Sequence, residues 1–61
     1  MDADRLIIGA QYVYQTLGGE TRQLSFVGHS GDERYVFHDQ SRRYRIVLGR
    51  DAIEDRVREY K

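Results

Sequence analysis

Sixty-one residues make one domain at most, residues 1–61, and a chain this short buries only about 60% of the surface its unfolded form exposes. The absence of cysteine excludes disulfides and thiolate metal sites, and no apolar run approaches the roughly 20 residues of a bilayer-spanning helix. Ten basic and ten acidic side chains cancel, which argues against a strongly basic nucleic-acid binder, yet residues 34–50 carry five arginines against Asp39 alone.

The N-terminus, Met1-Asp2-Ala3-Asp4, is acidic where an export signal is basic, so a cytoplasmic protein is expected. Runs rich in Tyr, Val, Phe and Ile are then punctuated by glycine, which is the composition of short strands and turns. The first predicted strand is 11–17, closed by a Gly18-Gly19 hairpin turn that exploits the freedom of glycine at positive φ. The second, 22–27, alternates Leu24 and Phe26 with Gln23 and Ser25. A turn at 30–33 leads to a third strand, 34–38, and a turn at 39–41 to a fourth, 43–48. In that fourth strand Tyr44, Ile46 and Leu48 share one face, Arg43 and Arg45 the other.

After Gly49 the period changes from two to about 3.6. Ile53, Val57 and Tyr60 fall on one stripe of a predicted helix over about 51–60, with Asp51 as N-cap, Glu54 completing a capping box, and Arg56, Arg58 and Lys61 near its end. The expected fold is therefore mainly β with one C-terminal α-helix, an α+β arrangement of a small bent antiparallel sheet or barrel with four to five strands. In Ile8-Gly9 leading into Tyr12-Val13-Tyr14, in its successive short hairpins and in a helical turn after the fourth strand, the chain resembles SH3-like small β-barrels. That resemblance is architectural, and implies an adaptor or a nucleic-acid accessory module.

Catalysis is not indicated. Gly28-His29-Ser30-Gly31-Asp32 lacks the final glycine of a nucleophile elbow and lies between two strands, so it reads as a turn. His29 and His38 have no chelating spacing, and no metal or cofactor is expected. Glu54, Asp55 and Glu59 alternate with Arg56 and Arg58 as a solvated helix face does.

The patch that invites binding is arginine-rich. Arg43 and Arg45 share a predicted strand face, Arg34 lies on the neighbouring strand, and Arg42 and Arg50 rim the same surface with His38 nearby. Guanidinium groups suit flat contact with carboxylate or phosphate, and exposed tyrosines such as Tyr12 or Tyr14 would add contact area. The leading expectation is a non-enzymatic module that binds a partner protein through an Arg- and Tyr-rich sheet face, with homodimerisation through an open strand edge or through Val57 and Tyr60 as part of it. The alternative is nucleic-acid binding, the same arginines holding phosphates.

Overall fold

A computed structural model describes residues 1–60; Lys61 lies outside the described residues, and with it the expectation that it complements a helix dipole. The chain is mainly β with one C-terminal helix. A 3-10 turn (Ala3–Arg5) precedes strands β1 (Gln11–Gln15), β2 (Thr21–His29), β3 (Arg34–Asp39) and β4 (Tyr44–Gly49), then helix α1 (Arg50–Arg56) and strand β5 (Val57–Glu59). All neighbours pair antiparallel in the order β4-β3-β2-β1-β5, so the last strand returns to cover the free side of the first. The sheet is not closed into a barrel: β4 and β5 remain its two edges.

The expected helix over 51–60 is corrected. It spans seven residues, Gly49 is its N-cap with no side-chain cap bond, and Asp51 lies inside its first turn. Val57 turns extended and pairs with Tyr14, and Glu59 pairs with Tyr12. A helix continued to residue 60 would leave β1 with an unpaired edge, whereas a three-residue strand satisfies it and still buries Val57. The α-amino group of Met1 donates to the carbonyls of Ile53, Glu54 and Val57 (3.4, 3.0 and 3.2 Å), of which that of Ile53 also accepts from the Val57 amide, and so ties the N-terminus to the passage from α1 to β5.

Turn chemistry shifts the other boundaries. β1 stops at Gln15, and the connection to β2 is the loop 16–20, in which Gly19 (φ +87°) donates to the Thr16 carbonyl at 3.0 Å. β2 runs on to His29 because a bulge lets it bend: Phe26 faces Phe37, yet Gly28 faces Val36. Two residues, Val27 and Gly28, thus oppose one, and the alternation of the strand reverses beyond them. His29 consequently lies on the core side, its ring 4.8 Å from that of Tyr35.

The core occupies one face of the sheet. Tyr12, Leu24, Phe26, Tyr35, Phe37 and Leu48 from the strands meet Ile53, Val57 and Ala3. Tyr12 and Phe37 pack edge to face at 6.4 Å, and the Tyr12 hydroxyl accepts from the Ile7 amide at 2.9 Å.

Among these apolar groups stands one charge. Asp39 is 0% exposed; its Oδ1 accepts from the Ser41 and Arg42 amides (3.0 and 3.2 Å), and its Oδ2 faces Arg22 Nη1 at 3.5 Å. Its backbone carbonyl accepts from Arg43 at 2.8 Å, which closes the β3–β4 turn. For a domain whose total stability is roughly 3–9 kcal/mol by size, this group matters. Asp39→Ala is expected to cost about 3 kcal/mol by removing the acceptor of two turn amides and one of the two carboxylate partners of Arg22, which keeps Glu20, and Asp39→Asn less, since a carboxamide oxygen keeps the amide bonds. Urea unfolding of the two variants checks this, and equal midpoints for Asp39→Ala and wild type would refute it.

Candidate functional site

The register assigns every site residue to a face. Tyr35, Phe37 and Asp39 of β3 point into the core, so their cross-strand partners Leu48, Ile46 and Tyr44 share that side, as do Tyr12 and Tyr14 with Leu24 and Arg22. Arg34, Val36 and His38 point the other way, with Val47 opposite Val36 and Arg45 opposite His38. Tyr12 and Tyr14, expected to share a surface with Arg34 and Arg45, therefore lie on the opposite face from them. Tyr12, expected to be exposed, is 3% accessible, and Tyr14 packs against the core.

The arginines divide as well. Arg42 is in the β3–β4 turn and pairs with Glu20 at 3.7 Å, beside the Arg22–Glu20 pair. Arg43 is not a strand residue: at φ +56° it occupies the left-handed position that ends the turn. Arg50 lies at the start of α1, at the other end of the molecule from Arg42. It donates from Nη2 to Asp4 (3.0 Å) and to the Tyr35 hydroxyl (2.9 Å), with its guanidinium carbon 5.9 Å from the Tyr35 ring centre. The hydrogen bond and charge of Asp4, then the charge of Tyr35, hold its pKa above the usual value, so it stays a cation throughout the working pH range. Arg34, Arg43 and Arg45 are exposed and form no ion pair among the described residues.

What the outer face brings together was not singled out in the sequence. Val36 and Val47 are cross-strand partners on that face, next to Val27 and Gly28 of the bulge. A Cβ on Gly28 (φ +150°) would stand 4.0 Å from Cδ1 of Ile8, so Ile8 lies over the bulge. Ile8 is held there by the turn 7–10, in which Gly9 at φ +88° permits the Ala10 amide to donate to Ile7 (3.0 Å), while the Gly9 amide donates to Phe26 (2.8 Å). An apolar row therefore crosses the outer face from Ile8 (70% exposed) through Val27 and Val36 to Val47 (54% exposed). Arg34 flanks it on one side. On the other runs a polar row, Gln11, Ser25, His38 and Arg45, one opposite the next across β1 to β4. Arg34 and Arg45 stand four residues apart in register, about 13 Å, with the apolar row between them.

Two of the concavities that lie elsewhere border residues described above. One of about 480 Å³ opens on the core side between β1 and β4, lined by Tyr14, Leu17, Tyr44, Ile46 and Leu48 with Glu20 and Arg22 at its rim. The other, about 820 Å³, is bordered by His29, Tyr35 and Arg50 with Asp4, Asp32 and Glu33. Neither holds a nucleophile hydrogen-bonded to a base, and no three metal-ligating side chains gather among the described residues. Among those residues no helix is long and apolar enough to cross a membrane. Comparison with protein-family models, curated proteins and solved structures finds no match.

Side-chain accessibility tests this division of faces. Limited phenylglyoxal treatment, mapped by mass spectrometry, is expected to modify Arg34, Arg43 and Arg45 well before Arg22, and tetranitromethane to nitrate Tyr44 and Tyr60 before Tyr12 and Tyr35. Early modification of Tyr12 or Arg22 would contradict the register.

Proposed function

We propose that this chain is a non-enzymatic binding module whose contact surface is the outer sheet face, and that its ligand is a partner protein presenting an apolar ridge flanked by carboxylates. The observation that carries the reading is the Ile8–Val36–Val47 row with Arg34 and Arg45 on its two sides. A solvent-facing sheet surface ordinarily alternates to polar residues, so aliphatic side chains continuous across β2, β3 and β4 form the kind of apolar strip that marks an interaction surface. Arginine at the rim of an apolar strip supplies orientation and specificity through carboxylates on the partner.

Nucleic-acid binding is the less favoured ligand class for this face: only Arg34 and Arg45 flank the row, and valines occupy the space between them where phosphate contacts would need cations.

Immobilised protein is expected to retain a partner from a lysate of the source cell that neither Ile8→Asp nor the Arg34→Glu, Arg45→Glu double variant retains. Ile8 is exposed enough for its variant to fold. Labelled single- and double-stranded oligonucleotides titrated in parallel should show no anisotropy change at low salt. Micromolar oligonucleotide binding that weakens steeply with salt and disappears in the double arginine variant would overturn the protein-ligand reading.

A further inference from the structure

We infer that two copies of this chain pair antiparallel through β4, with Val47 facing Val47 of the second copy on a two-fold axis. This interface is the edge of β4 rather than the outer face proposed above, although Arg45 and Val47 belong to both.

The two sheet edges differ in kind. β5 has three residues, of which Arg58 and Glu59 are charged and exposed, so it is short and well protected against further pairing. β4 has six residues, Tyr44-Arg45-Ile46-Val47-Leu48-Gly49, with one charge, no proline and no bulge. Its outward backbone groups face no strand, and Tyr44 and Val47 are among the exposed large apolar side chains. Among the described residues, the charge of Arg45 alone blunts this edge.

A second copy fits it because the sequence of β4 is compatible with its own reverse. Antiparallel neighbours place directly opposed residues on the same face, so a two-fold axis requires one residue to face itself and its neighbours to match in pairs. With Arg45 on the axis, two guanidinium groups would oppose each other, which is unfavourable. With Val47 on the axis, Ile46 meets Leu48 on the core side and Arg45 meets Gly49 on the outer side, where the absent side chain leaves room for the arginine. This register uses residues 45–49 and places no charge opposite a like charge. It also joins the two apolar rows into one that runs from Ile8 of one copy to Ile8 of the other. A net charge of zero removes the general repulsion that would keep identical chains apart.

Sedimentation equilibrium of the purified protein, with no partner added, tests the pairing. Wild type is expected to populate a dimer at micromolar concentration, and Val47→Lys, which opposes two ammonium groups at the axis, to weaken self-association roughly tenfold. Because the chain has no cysteine, Val47→Cys and Arg45→Cys each carry one thiol; a short bismaleimide should link the first pair efficiently and the second poorly. A monomer mass throughout, a dimer indifferent to Val47→Lys, or equal linking at both positions would overturn the inference. Ile8→Asp, which lies away from β4, should dimerise as wild type does, so loss of partner capture and loss of dimer are read independently.

Discussion

A carboxylate withdrawn completely from water in so small a domain has to be matched group by group, and Asp39 is. Its two oxygens meet Arg22 and two turn amides, and its carbonyl accepts a third amide. This arrangement places β3 at a fixed height against β2 and fixes how the chain re-enters β4. Since side chains alternate along a strand, a shift of one residue in that re-entry would exchange Tyr44, Ile46 and Leu48 with Arg45 and Val47. A core of nine residues could not absorb the exchange. The placement of Tyr44 and Arg45 on opposite faces is thus tied to one buried carboxylate and the turn it organises.

Much of this architecture was legible in the sequence, because period-two alternation through Leu24 and Phe26 and through Tyr44, Ile46 and Leu48 reports directly on which face is buried. The C-terminal segment was not, for a definite reason: Ile53 and Val57 are four apart, which places them together whether the chain continues as a helix or turns outward after one buried residue. What decides is the free side of β1, a demand made by a strand more than forty positions earlier. Arg43 misled in a related way, since a residue that ends a turn in the left-handed region continues the strand's sequence pattern without belonging to it.

The binding surface was half legible. The arginines drew notice by their density, but charge density ignores pairing: Arg42 and Arg50 are occupied by Glu20 and Asp4, on different parts of the molecule. Val36 and Val47 were a signal available in the strand patterns, as aliphatic residues at positions where the face should be polar. Ile8 was not, because its place beside them depends on the bulge at Val27 and Gly28, and a bulge reverses the parity on which such a reading rests.

The pairing of the first strand with the last also governs the order in which the molecule can assemble. The three hairpins from β1 to β4 join neighbours in the chain and can close as soon as their residues are present, at small loop-closure cost. The β1–β5 ladder must wait for every intervening residue, and it is the contact of greatest sequence separation in the sheet. Until it forms, Tyr12 to Tyr14 lack a neighbour along one side, and the seven-residue helix is the short span that brings Val57 to them. A chain that has not yet closed this ladder is in this way open at β1, the strand that in the finished fold is flanked on both sides.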